Sequence, residues 1–85
     1  MGYRSRNDII CQILQNAYCG GATKTELFYK VFVNYSQLKE YVTILTENDL
    51  LIYEEETQTF RLTEKGLTFL QAYNQIDQML KEQQV

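Results

Sequence analysis

Five polar side chains, Ser36, Gln37, Lys39, Glu40 and Thr43, carry donors and acceptors of the kinds that read base-pair edges. A glutamine amide matches adenine, a lysine ammonium guanine, a carboxylate the amino group of cytosine, and a hydroxyl almost any pair. If this segment is helical, Leu38, Tyr41, Val42 and Leu45 follow at i, i+3, i+4 and i+7 and take the opposite side. The five then turn outward, with Gln37 nearest the boundary. Two readings fit that face equally from its pattern alone: a surface that reads a duplex, or a plain solvated face.

Cations stand around it. Lys24 and Lys30 flank a short second segment, and Arg4 and Arg6 form a basic arm near the start, all placed to meet phosphates. Thr23 and Thr25 add a helix N-terminus whose free N–H groups suit the same anions. Scattered surface Lys and Arg occur on every soluble domain, so this pattern alone gives phosphate contact only a modest preference.

Catalysis has no such set. The chain has no histidine, no nucleophile motif and no glycine-rich phosphate loop, and its carboxylates cluster on a turn rather than in an apolar pocket, so no enzyme and no cofactor are expected. Two cysteines, Cys11 and Cys19, cannot make up a zinc site without several carboxylates. Eight residues apart on one helix they stand about 12 Å apart along its axis, too far for a disulfide, and read as core thiols. No metal and no small-molecule substrate are expected.

The net charge of -3 opposes a general nucleic-acid coat, because Lys and Arg contacts to phosphate supply most non-specific affinity. Its distribution is uneven. Residues 1–46 carry Arg4, Arg6, Lys24, Lys30 and Lys39 against Asp8, Glu26 and Glu40, whereas 47–56 carry Glu47, Asp49, Glu54, Glu55 and Glu56 with no cation. No apolar run approaches the roughly 20 residues of a membrane span, so no membrane partner is expected and a cytoplasmic protein is.

The elements that must position these groups follow from period and punctuation. Ile9, Ile10, Ile13, Leu14 and Ala17 give a first helix from Ser5, paired with Asp8 as a cap, to about Tyr18, closed by Gly20-Gly21. Thr23 and Glu26 form a Thr-x-x-Glu capping box for a second helix ending near Phe32. Asn34 and Gln37 repeat that spacing for a third, from about Tyr35 to Glu47, closed by Asn48 or Asp49. The connection between the second and third helices is short enough to force a steep helix-turn-helix. Leu50 to Glu54 and Phe60 to Thr63 then read as a hairpin around the polar residues 55–59. Thr63 caps a last helix that runs nearly to the end. The fold class is therefore α+β, mostly helical.

Along that last helix Phe69, Tyr73, Ile76 and Leu80 recur at spacings of four, three and four, a short coiled-coil seam that also takes in Ala72, Met79 and Gln83. Leu67 and Leu70 suffice to dock it on its own core, and residues beyond about Ala72 are expected to find no partner within the chain. A second subunit is the simplest cover, aided by contacts of Tyr3, Tyr18 or Ile44.

Three helices, a two-stranded hairpin and a long terminal helix make the winged-helix plan. The strings ATKTEL, NYSQLKEYVTIL and FRLTEKGLTFL resemble those of archaeal winged-helix DNA-binding proteins that dimerise through a long C-terminal coiled-coil helix. The resemblance spans Arg4 to about Leu80. It implies a winged helix-turn-helix unit over 1–63 and a dimerisation helix over 64–85, folded as one compact body. It further implies that the third helix reads double-stranded DNA, that the hairpin is the wing, and that the last helix pairs antiparallel with its twin. Two departures stand out: the chain is acidic, which argues against coating chromatin, and Asn48-Asp49 replaces the usual glycine. The expected function is a homodimeric transcriptional regulator; the alternative is a winged-helix protein-interaction module that does not bind DNA.

Overall fold

The computed structural model describes residues 6–31 and 33–83, with side chains to residue 80. The order is α1 (Arg6–Tyr18), α2 (Lys24–Val31), α3 (Tyr35–Glu47), β1 (Leu51–Glu54), β2 (Thr59–Leu62) and α4 (Glu64–Gln83). The expected caps at Ser5, the end of α2 at Phe32, and Tyr3, Arg4 and the Gln83 side chain lie outside the described residues.

Each boundary has a local cause. Gly20 and Gly21 take positive φ of 87° and 93°, and the Gly21 N–H donates to the Ala17 carbonyl, so α1 ends where only glycine sits without strain. Thr23 Oγ1 accepts from the Glu26 N–H at 3.1 Å while Glu26 Oε1 accepts from the Thr23 N–H at 2.9 Å, the complete reciprocal box. At α3 half of that device is present: Asn34 Oδ1 accepts from the Gln37 N–H at 2.7 Å. Asp49, at φ 61°, closes α3 with a left-handed residue: its N–H reaches Thr46 and the Leu50 N–H reaches the Leu45 carbonyl.

The hairpin is antiparallel with Leu51 opposite Leu62 and Tyr53 opposite Phe60. The second strand starts at Thr59, one residue earlier than the apolar pattern suggests, because Gln58 takes positive φ (56°) and completes the turn. A one-residue third strand accompanies it: Ala22 and Phe60 exchange both backbone hydrogen bonds, at 3.0 and 2.7 Å. This bridge ties the α1–α2 connection to the wing.

The core joins Ile13, Leu14 and Ala17 of α1, Leu27 and Val31 of α2, Leu38 and Leu45 of α3, Leu51 and Phe60 of the hairpin, and Leu70 of α4. Cys11 belongs to it, and burial together with Asp77 and Asp8 pushes its thiol above the ordinary cysteine range. Cys19 does not: it is exposed past the end of α1, which corrects its reading as a core thiol.

The first turn of α4 packs closely on the α3–β1 junction. Thr63 Oγ1 accepts from the Gly66 N–H at 2.9 Å and donates to the Asp49 carbonyl at 2.6 Å, and the Thr63 N–H donates to the Leu50 carbonyl. A Cβ on Gly66 would lie 2.2 Å from that Leu50 oxygen and 2.7 Å from Leu62 Cδ1, so the last residue of RLTEKG is set by this contact. Gly66→Ala should cost about 3 kcal/mol, at the upper end for overpacking against backbone. Gly20→Ala, which meets no atom within 4 Å, should cost about 1 kcal/mol from its φ alone. Urea melts of both variants check the order; equal losses would remove the contact argument.

Candidate nucleic-acid interface

The outward face of α3 is open. Ser36, Gln37, Lys39, Glu40 and Thr43 are all exposed, Gln37 included, while Leu38, Tyr41, Val42 and Leu45 are buried beneath them. With about 100° per residue, Ser36, Glu40, Thr43 and Glu47 form the most outward line, Lys39 leans to one side and Gln37 to the other. Two of the four residues on that line are carboxylates.

Lys24, the first residue of α2, is the meeting point of the surface. It borders three adjoining depressions. One of about 290 Å³ lies between α3 and the hairpin, where Lys24, Lys39, Val42, Thr43, Thr46 and Phe60 are among its walls. A second runs on past Phe60 to Thr23, Thr25, Tyr53 and Gln58 of the wing. The third is aromatic, formed with Thr25, Phe28, Tyr29 and Tyr35. Lys24 Nζ donates to the Tyr35 hydroxyl at 3.3 Å and lies 5.6 Å from that ring's centroid, and Phe28 stands edge-on to Tyr29 and Tyr35 at 5.5 and 6.2 Å. Tyr29 and Tyr35 are exposed, at 66% and 52%.

Lys24, Thr25, Lys39 and Thr43 are thus brought onto one grooved surface beside α3. Arg6 and Lys30 are exposed but border none of these depressions, and Arg4 lies outside the described residues. Tyr29 and Tyr35 were not singled out from the residue pattern. The available signal was two tyrosines at helical positions on the polar side of α2 and α3, where an apolar ring has no core to fill.

The wing is acidic and partly self-neutralised. Glu54 Oε1 lies 3.5 Å from Arg61 Nε and accepts from the Thr57 hydroxyl at 3.0 Å, leaving Glu55 and Glu56 exposed at the tip.

The residues assigned to the seam of α4 divide. Phe69, Ala72, Ile76, Met79 and Leu80 are exposed, the last three at 58%, 56% and 55%. Tyr73 is half-buried against the core, and its hydroxyl donates to Asp8 Oδ1 of α1. Cys11 Sγ approaches Asn74 Oδ1 at 3.8 Å. Intrachain packing therefore continues past Ala72, contrary to the expectation that Leu67 and Leu70 suffice. The reason is that the first turns of α1, at Asp8 and Cys11, lie against α4 at Tyr73 and Asn74.

The winged helix-turn-helix family model matches residues 3–81, nearly the whole chain. The chain belongs to the winged helix-turn-helix family. Among solved structures this winged-helix chain is similar to Sso10a-2, a DNA-binding protein from Sulfolobus solfataricus, with a TM-score of 0.72 over 95% of this chain and 90% of that one, at 24% identity. At that identity the likeness speaks for the fold. A comparison with curated proteins finds no match. Among the described residues no helix is long and apolar enough to cross a membrane, and no cluster of acidic or thiol side chains suits a metal ion.

The position of Lys24 depends on the Thr23–Glu26 box. The Thr23 backbone N–H, then its hydroxyl and the Lys30 charge, hold the Glu26 carboxyl below its usual range. A lowered folded pKa contributes stability that is present above about pH 4.3, the usual glutamate value, and is lost as pH falls through the folded value. Glu26→Gln should therefore flatten the stability–pH curve between about pH 5 and 3, and Thr23→Ala should cost about 1 kcal/mol at neutral pH. Chemical denaturation as a function of pH measures both; an unaltered acid limb in E26Q would show that the box contributes nothing.

Proposed function

We propose that this chain binds double-stranded DNA in the major groove through α3 and acts as a cytoplasmic homodimeric transcriptional regulator rather than as an enzyme. The observation that carries the reading is the outward α3 face, exposed over all five candidate side chains, Lys39 among them, and bordered by Lys24 in a winged-helix frame. Membership of the family and a fold neighbour described as DNA-binding support it. Ser36, Gln37, Lys39, Glu40 and Thr43 face base edges, and Lys24 with the Thr23–Thr25 helix start takes a phosphate. Arg4, Arg6 and Lys30 serve flanking phosphates, and the wing tip, with Glu55 and Glu56, stays out of the groove. The exposed stripe of Phe69, Ala72, Ile76, Met79 and Leu80 is covered by the α4 of a second subunit.

Fluorescence anisotropy with duplex DNA across a salt series tests this. Affinity should fall steeply with salt, and Lys24→Ala should lower the slope of log K against log salt by about 1 while weakening all sequences alike. Gln37→Ala with Lys39→Ala should relax sequence preference. Undetectable binding at low salt, or binding indifferent to salt, ends the DNA reading in favour of a protein-interaction module, which the carboxylates of Glu40 and Glu47 on the same face would suit.

The dimer is tested separately by sedimentation. Ile76→Glu with Leu80→Glu should convert a dimer to monomers without lowering the monomer's helix content, because both side chains point away from the core. A wild-type chain that sediments as a monomer removes the assignment.

A further inference from the structure

The depression between α3 and the hairpin differs from the rest of the interface. Its floor is apolar, with Phe60 and Val42 nearly buried over Leu38, while the surface around it is charged and hydroxylated. Its volume of about 290 Å³ falls at the small end of ligand sites, too little for a protein segment and enough for a small molecule. The charges on its rim are polarised. Lys39 stands near the start of α3, and Lys24 is held at the same end by its bond to Tyr35, the first residue of that helix. Glu47 closes the other end, eight residues or about 12 Å further along α3. Thr46, on the wall, already donates its hydroxyl to the Val42 carbonyl at 2.7 Å and so presents mainly its methyl group.

We propose that this cleft is a binding site for a small amphipathic monoanion, an aryl or alkyl carboxylate. The apolar body lies on Phe60 and Val42, and the carboxylate points to Lys24 and Lys39, away from Glu47. Lys24, Lys39 and Thr43 are also the side chains assigned to DNA, so ligand and duplex exclude each other and the ligand acts as an effector. That exclusion rests on the DNA-binding reading; occupation of the cleft does not.

Phenylacetate is a suitable probe, with phenylacetamide as its neutral analogue and acetate as the anion lacking an apolar body. In ¹⁵N–¹H NMR titrations of the full chain, phenylacetate should shift the amides of Val42, Thr43, Thr46 and Phe60 saturably, with a Kd on the order of 1 mM. Phenylacetamide and acetate should each bind at least about fivefold more weakly, and Lys24→Gln with Lys39→Gln should weaken phenylacetate by a similar factor. The site is overturned if no saturable shift occurs, if phenylacetamide binds as well as phenylacetate, or if the shifts fall on the Ile76–Leu80 face instead. The neutral analogue keeps this decision independent of the lysine variant's folding. In a second arm, phenylacetate should displace a labelled duplex at the concentration that half-saturates the cleft, and equimolar acetate should not. Occupation without displacement overturns the exclusion alone. If no duplex binds even at low salt, the DNA reading fails and the exclusion with it, while the titration still decides the cleft.

Discussion

The Leu50 carbonyl is the point on which the arrangement of α3, wing and α4 depends. It accepts the Thr63 N–H at 3.2 Å and lies so close to Gly66 that no side chain fits there. One peptide earlier, the Asp49 carbonyl accepts the Thr63 hydroxyl, and Asp49 itself is the left-handed residue that ends α3. Three elements therefore share two adjacent peptide groups: the end of α3, the strands of the hairpin and the cap of α4. None can rotate without breaking a hydrogen bond of another. Each of these hydrogen bonds contributes about 0.5–1.5 kcal/mol net, and the close approach of Gly66 to the Leu50 oxygen leaves no slack, so the junction is held by several bonds and a packing contact at once.

That junction explains the groove beside α3. The hairpin leaves the junction with Phe60 facing inward, paired across the strands with Tyr53 at 4.9 Å between ring centroids and locked from the other side by the Ala22 bridge. Phe60 cannot move toward α3 to fill the gap beside Val42. The same bridge fixes the residue before Thr23, so the first turn of α2, and Lys24 with it, is held against the wing. A concave surface with an apolar floor and a rim that is cationic at the end of Lys24 and Lys39 is thus a by-product of how the chain ties α2, α3 and the hairpin together.

Helices were legible because their signals are local. The α3 limits, Tyr35 and Glu47, follow from Asn34 as cap, a 3.6-residue apolar period and a residue tolerant of positive φ at the end. The start of β2 was less legible, since the turn ends at Gln58, a residue type with no particular preference for its conformation. Contacts that close long loops left no trace in the spacing. Tyr73 meets Asp8 across 65 residues, and nothing in the period of α4 separates a tyrosine that packs on α1 from Ile76 or Leu80, which do not. The candidate site divides along the same line. Which α3 residues face outward followed from one helix alone, whereas the grouping of Lys24 with Tyr35, Lys39 and Phe60 required three elements to meet.

Net charge bears on this surface less than the placement of individual carboxylates. At about 0.1 M salt, exposed charges more than about 10 Å apart are largely screened, so Glu55 and Glu56 at the wing tip act mainly on what the tip itself touches. Glu54 is already matched by Arg61. Glu40 is different, because it lies on the outward line of α3 within the proposed contact area, with Glu47 on the same line two turns further on. On the DNA-binding reading, a carboxylate there accepts a hydrogen bond from a cytosine amino group and meets unfavourable acceptors at most other base positions. Each such carboxylate lowers affinity for every sequence through its repulsion of phosphates, and lowers it least where its partner is present. An acidic reading helix therefore trades affinity for discrimination, which is the opposite of what a protein coating DNA without regard to sequence requires.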